Sequence, residues 1–358
     1  MTAPSRTFIV SLTVSEGRSP EIIEAIARAV IACPGITLVD VRPNRTYNRV
    51  TVLFGGAPAV LPDAVVAAAA VVRERVALAD PETDQKPYGT LDAVWVIPLA
   101  AERLDAAAAV GERVGERLAA EFDLPVYLTY ALARRAERAS IHTMRERDAT
   151  TLGEVMEADA WRPDFGPAAL NPAMGAVLVG ARLWHVNFIL YFDTRDADLV
   201  EELTRMHEVL AENGEEGARF LEGSQTYTEL AVLLGRIETF IDQTPEVKVV
   251  RVFCNVPDYR DTPIDRVIEV FKKAADKLGI PIFGLRLTGF VPAEVLVEAG
   301  RRNFPSAPDL LADEELRYIT LAIQQLQLNS IDTFNIRRQV LDYHFVAGGD
   351  PSQDHGPV

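Results

Sequence analysis

TFIVSLTVSEGRSPEIIEAIARAVIACPGITLVDVRPNRTYNRVTVLF, residues 7–54, sets out the order of elements from which the rest of this chain can be read. Thr7 to Val14 alternates apolar and polar side chains as a half-buried strand does, and Pro20 stands where a first helical residue can do without its N–H. Behind it, Ile22, Ile23, Ile26, Val30 and Ile31 recur at helical spacing. Gly35 interrupts that pattern, after which Ile36 to Val41 and Val50 to Phe54 read as strands joined by a polar connection. An Ala/Val-rich helix over Leu61 to Leu78 and a strand over Asp92 to Pro98 complete the order β-α-β-β-α-β. That is the split-βαβ pattern, in which helices cover one face of a sheet.

Working outward, Ala101 to Phe122 reads as a further helix and Pro125 to Thr129 as a strand, followed by a charged, helix-prone stretch from Arg134 to Asp159. The segment WRPDFGPAALNPAMGA, residues 161–176, holds three prolines and two glycines, which exclude regular structure and mark an inter-domain crossing. After it the first order recurs. Leu183 to Phe192 reads as a strand, Asp196 to Asn213 as a helix, and Leu230 to Ile241 and Val247 to Val256 as strands. Pro263 to Leu278 then reads as a helix, Pro281 to Gly289 as a strand and Asp313 to Leu328 as a last helix. The expected class is α/β (α+β), with two split-βαβ subdomains over 1–175 and 176–345, each a mixed sheet with helices on one face, and a disordered tail over 346–358. No residue-level repeat links the halves, so duplication is legible only in the order of elements.

A chain of 358 residues is long enough for two ordinary cores, and 48% hydrophobic with 25% charged residues is a globular balance. The net charge of −16 argues against nucleic acid or an anionic membrane as partner, because phosphate contacts need clustered Lys and Arg. A small-molecule substrate is the better expectation. No segment is apolar for long enough to span a bilayer, and the N-terminus lacks the basic and apolar regions of a secretion signal, so a soluble, cytoplasmic protein is expected. Cys33 and Cys254 lie far apart beside apolar runs and read as buried reduced thiols, and no metal-ligand spacing is present. Neither a G-x-G-x-x-G nor a Walker loop follows a strand, and no G-x-S-x-G elbow occurs; GERVGER, residues 111–117, sits inside a helix.

WRPDFGP with Pro172, Gly175, Ala176 and the Gly180–Arg182 GAR resembles the inter-domain signature of the formiminotransferase family. Other pieces fall in the same order: SEG at 15–17, LVDV at 38–41, NR at 48–49, LPVYL at 124–128, LTGFVP at 287–292 and the closing NSIDTFNIRRQVLDY, so the likeness spans roughly residues 7–345. The resemblance implies transfer of a formimino group from an amino-acid donor to N5 of tetrahydrofolate, with folate bound between two subdomains of a homodimer. It also implies a histidine base in the loop before the fourth strand, ahead of a Pro and a Gly-x-Leu-Asp turn. Here that loop reads PETDQKPYGTLDAVWVIP, residues 81–98, so the turn is kept but Gln85 or Lys86 takes the histidine's place. Gln cannot take a proton, and Lys does so at neutral pH only when desolvation lowers its pKa.

Tyr88 is a further candidate base, and Asp40 matches an acidic site residue by its place in LVDV, although it also reads as an ordinary strand-end acid. Asn48 and Arg49 are expected to orient a carboxylate or pterin edge, or else to cap a turn. Glu16 stands before a helix, where a carboxylate is favoured in any case. In the crossing, Phe165 offers a face for a heteroaromatic ring, Asp164 an acceptor for an aminopterin, and Gly166 close backbone approach. Arg182 and Arg286 add positive charge suited to folate carboxylates. Of five histidines, His185 enters the second half directly after the crossing and is the candidate to face a ligand; His142, His207, His344 and His355 read as surface or tail residues. The alternative is a non-catalytic folate-binding or scaffold relative of the family.

Overall fold

The computed structural model describes residues 7–78, 87–205, 234–243, 249–306 and 313–346. It divides into two compact units between Leu183 and Trp184.

The first unit opens with β1 (Phe8–Val14), α1 (Pro20–Ile31), β2 (Ile36–Asn44), β3 (Arg49–Gly56), α2 (Leu61–Arg75) and β4 (Leu91–Pro98). Ser19 caps α1 by accepting from the Ile22 N–H at 3.4 Å, and Pro20 fills the first turn. α3 (Leu104–Phe122), β5 (Val126–Tyr130), the short helices α4 (Ile141–Arg145) and α5 (Ala149–Gly153), and β6 (Val177–Ala181) complete the unit. Its sheet runs β2-β3-β1-β4-β6-β5, with the first four strands antiparallel and β4, β6 and β5 parallel. Alternation puts Phe8, Val10, Leu12 and Val14 of β1 beside Val50, Val52 and Phe54 of β3 and Val94 and Val96 of β4, in one core with the apolar stripes of α1, α2 and α3. GERVGER belongs to that packing. A Cβ on Gly111 would lie 2.9 Å from Leu132 Cδ1, and one on Gly115 3.3 Å from the Phe165 ring, so the glycines let α3 approach the neighbouring chain closely.

β6 was not expected as a strand. Its five residues, VLVGA, are all buried and lie between β4 and β5, where the flanking prolines and the lack of alternation conceal a parallel strand. This pairing carries the first unit eight residues past the expected boundary at 175. The helix-prone stretch 134–159 supplies a 3-10 turn at Ala136–Arg138, then α4 and α5 with turns between them.

The second unit holds β7 (Val186–Phe192), α6 (Ala197–Thr204), β8 (Glu238–Gln243), β9 (Val250–Val256), α7 (Ile264–Leu278), β10 (Ile282–Thr288), α8 (Ala293–Asn303), α9 (Glu314–Leu326) and α10 (Ile336–Gln339). Its sheet order is β10-β7-β9-β8 and every pair is antiparallel, a correction to the mixed sheet expected there. A split-βαβ unit needs no parallel neighbours, since its crossovers skip a strand. The same relative order, fourth-first-third-second, runs through the first four strands of the other unit. The remainder of the expected helix to Asn213, residues 230–233 of an expected strand, and the tail beyond 346 lie outside the described residues. α8 was not read from the sequence; its first N–H is capped at 2.7 Å by Asp342, forty-nine positions on. Ser330 closes the outer edge of β10, taking the Leu285 N–H at 2.9 Å and donating to its carbonyl at 3.2 Å.

Candidate functional site

In the first unit, three separate segments converge on Asp92, the second residue of β4. Its carboxylate is fully buried and receives both terminal nitrogens of Arg145, at 2.9 and 2.6 Å, Arg49 Nη1 at 3.2 Å, and the Tyr88 backbone N–H at 2.9 Å. A buried charge is tolerated only when paired and hydrogen-bonded in this way. The Arg145 guanidinium also lies 5.5 Å from the centre of the Tyr88 ring, and the Tyr88 hydroxyl donates to the Met144 carbonyl. Burial lowers the Arg49 pKa; burial pulls Arg145 the same way, but Asp92, with Tyr88 and Tyr130, turns its net shift upward. Burial also pushes the Tyr88 phenol up to about 12. Tyr88 is thus a hydrogen-bonded, protonated phenol at neutral pH.

The loop after β1 joins this corner. Ser15 Oγ donates to the Gly89 carbonyl at 2.8 Å and its N–H to Thr90 O at 2.9 Å; Gly17 N–H donates to Asn48 Oδ1 at 2.9 Å. Asn48 holds a left-handed backbone, φ 47°, a conformation Asn tolerates better than most residues. Glu16 Oε1 accepts from the N–H groups of Arg18 and Ser19, at 2.7 and 2.8 Å, as an acid before a helix does. Glu16, Asn48, Arg49 and Tyr88 are therefore brought together around the Gly-x-Leu-Asp turn. Gln85 and Lys86, the candidates for the base, lie outside the described residues.

Asp40 stands apart. A register shift between Leu38 and Asp40 turns it on edge strand β2, where it pairs with Arg42 and accepts from the Val41 N–H at 2.9 Å. The crossing residues serve packing. Asp164 accepts from Arg138 at 2.8 Å and from the Leu128 N–H at 2.9 Å, with both partners of the ion pair buried. Phe165 lies against the bare face of α3, with the Arg134 guanidinium 4.6 Å from its ring centre. Gly166 has φ +80°, and a Cβ there would meet the Leu124 carbonyl at 2.4 Å. These contacts tie residues 164–166 to β5.

Arg182 follows β6 and is taken up below. His185 and Arg286 fall in the second unit. His185 precedes β7, its carbonyl accepting from Asn187 Nδ2 at 3.1 Å; Arg286 is half exposed on β10 and pairs with Asp332 at 2.7 Å. His344 places Nε2 3.1 Å from the Arg338 carbonyl and packs edge-on to Phe290, while His207 and His355 lie outside the described residues. Both cysteines are free thiols, Cys254 buried and Cys33 partly so. Among the described residues no cluster of His, Cys, Asp and Glu is placed to hold a metal, and no helix is long and apolar enough to cross a membrane.

Sequence reasoning missed Asp92, Arg138 and Arg145 as members of buried ion pairs. One signal was present for Asp92, the acid within the otherwise apolar run LDAVWVIP.

Residues 8–182 match the family model described as the formiminotransferase domain, N-terminal subdomain, and residues 234–346 match the model of the formiminotransferase domain. Among curated proteins, the formimidoyltransferase-cyclodeaminase of Sus scrofa is 29% identical over 345 residues, covering 96% of this chain and 61% of that protein. Its Dictyostelium discoideum counterpart is 28% identical, covering 92% and 58%. The glutamate formimidoyltransferase of Thermoplasma acidophilum is 23% identical over 290 residues, covering 80% of this chain and 88% of that protein. The chain thus spans about three-fifths of the bifunctional relatives' length.

Proposed function

We propose that this chain, which belongs to the formiminotransferase family, moves a formimino group between an amino-acid amine and N5 of tetrahydrofolate, with folate as co-substrate and not as a resident group. The observation that carries this reading is the succession of the two matches, 8–182 and 234–346, on one chain in family order. The transfer needs two reactants held together, a base for the N5 proton and donors for the tetrahedral intermediate. Asp92, with Arg49 and Arg145, fixes the turn that follows the loop bearing Gln85 and Lys86. In this reading Lys86 is the proton acceptor left to the chain, Tyr88 being engaged and protonated, and Gln85 offers only an amide. A histidine at either position is expected to serve better, its pKa lying near neutrality. We also assign the protein to the cytoplasm and to a homodimer, on the family resemblance.

Turnover of N-formimino-L-glutamate with tetrahydrofolate tests the proposal, in the unaltered chain and in Gln85→His and Lys86→His. We expect slow turnover that one histidine variant raises, up to the ~10²–10⁴-fold of a positioned base. KM for tetrahydrofolate should hardly change, because a base acts on the transition state. No turnover in any of the three, with no rise in melting temperature at millimolar tetrahydrofolate, would replace this reading with the non-catalytic one.

A further inference from the structure

Three arginines of the first unit, Arg138 buried and Arg49 and Arg145 largely so, are paired: Arg49 and Arg145 with Asp92, and Arg138 with Asp164. Arg182 is not. It follows β6, its backbone N–H donates to the Val96 carbonyl at 3.2 Å, and its Nη1 donates to the Leu183 carbonyl at 2.8 Å. The guanidinium lies 5.9 Å from the Tyr130 ring centre. Nε is buried without a partner, and among the described residues no carboxylate stands within ion-pair distance. Burial lowers the Arg182 pKa to about 10, which leaves it charged at neutral pH in a place that resists the charge. Natural proteins seldom leave a buried guanidinium N–H in that condition without a use for it.

Its surroundings are those of a binding position. Strands β4, β6 and β5 are parallel, and Arg182 and Tyr130 stand at their carboxyl ends, where open α/β sheets take their ligands. Gly180, on β6, faces Trp95 and Thr129 in the register of its two neighbours. A Cβ there would come within 2.7 Å of Thr129 Oγ1 and 3.0 Å of the Trp95 ring. The Thr129 hydroxyl is buried and, like Arg182 Nε, without a partner. Trp95 and Tyr130 meet edge to face at 5.3 Å. We propose that Arg182 holds a ligand carboxylate at the carboxyl ends of β4, β6 and β5, against the Trp95 and Tyr130 rings, with the Thr129 hydroxyl of the neighbouring strand as a further donor. This rests on the proposed function only for the identity of the ligand. The carboxylate belongs either to the glutamate tail of the folate or to the amino-acid donor.

Calorimetric titration of the full chain separates these sources. The probes are tetrahydrofolate, tetrahydropteroate, which lacks the glutamate, N-formimino-L-glutamate and glutarate, each against unaltered protein, Arg182→Gln and Arg182→Lys. Loss of a charge-assisted bond predicts a weakening of roughly tenfold to a hundredfold in Arg182→Gln for the ligand whose carboxylate is held. Arg182→Lys should recover part of it, keeping the charge but not the planar fork. Tetrahydropteroate should be unaffected. An effect on tetrahydrofolate alone identifies the folate tail; an effect on formiminoglutamate and glutarate identifies the donor. Arg182→Gln without ligand should melt no lower than the unaltered protein, since a partly buried charge lacking a counter-ion has gone. Unchanged affinity of Arg182→Gln for every carboxylate overturns the inference while leaving the proposed function standing. So does a fall in melting temperature shared by both variants with loss of all four ligands, which would make Arg182 structural. If the unaltered protein binds no folate but loses formiminoglutamate or glutarate on substitution, the inference stands and the proposed function fails. If it binds none of the four, both fail.

Discussion

At Asp92, one carboxylate decides the conformation of a whole corner. It takes charge from Arg49 and Arg145 and a backbone N–H from Tyr88, so residues from β3, α4 and the turn before β4 meet at a fully buried group. Removing one member of such a set strands the others without a counter-charge, which costs about 3–5 kcal/mol. Asp92→Ala should lower the urea midpoint by a corresponding amount with an unchanged slope. A double-mutant cycle with Arg145→Met should show strong non-additivity, because Arg145 has nothing left to lose once Asp92 is gone. Additive losses would mean that the two residues act separately. The corner's chemistry was only partly legible in the sequence. PETDQKPYGTLD announced a turn and Asn48–Arg49 a neighbour for it, but nothing in RASIHTMRERD said that Arg145 would cross more than fifty positions to reach Asp92.

The helix α8 shows the same dependence at the scale of an element. AEVLVEAGRRN begins behind Pro292, whose side chain makes no cap hydrogen bond; Asp342 arrives from the chain's far end to take the Ala293 N–H. Burial, with the nearby carboxylates of Glu315 and Glu294, raises the Asp342 pKa to about 6 although the Ala293 N–H pulls the other way. An unfolded Asp titrates near 3.9, so the folded state binds more protons between about pH 4 and 6. This group's contribution is therefore fully present below pH 4 and is lost as pH rises through 6, a difference of roughly 2–3 kcal/mol. Asp342→Asn keeps an acceptor for the cap and cannot ionise. The variant should melt above the unaltered protein at pH 7, with the gap closing towards pH 4; parallel profiles for the two proteins would show that Asp342 does not titrate in this window.

For the molecule as a whole, the proposed homodimer is checked by light scattering at micromolar concentration, where the mass of two chains is expected and that of one chain would reject it. The order β-α-β-β-α-β was determined by sequence alone, because alternation in TFIVSLTV, the helical spacing of Ile22, Ile23, Ile26 and Val30, and punctuation by Pro20 and Gly35 are local properties. The family likeness was also legible there, carried by WRPDFGP and GAR. Tertiary structure decided what depends on residues remote in the chain. It made VLVGA a strand by placing it between β4 and β5, and set β7, β8, β9 and β10 entirely antiparallel. It also turned the Asp164–Gly166 segment to the packing of β5. The same placement pairs Arg49, Arg138 and Arg145 with acids and leaves Arg182 without one among the described residues, because a side chain's charge is written in the sequence but its counter-charge is supplied by whatever the fold brings within reach.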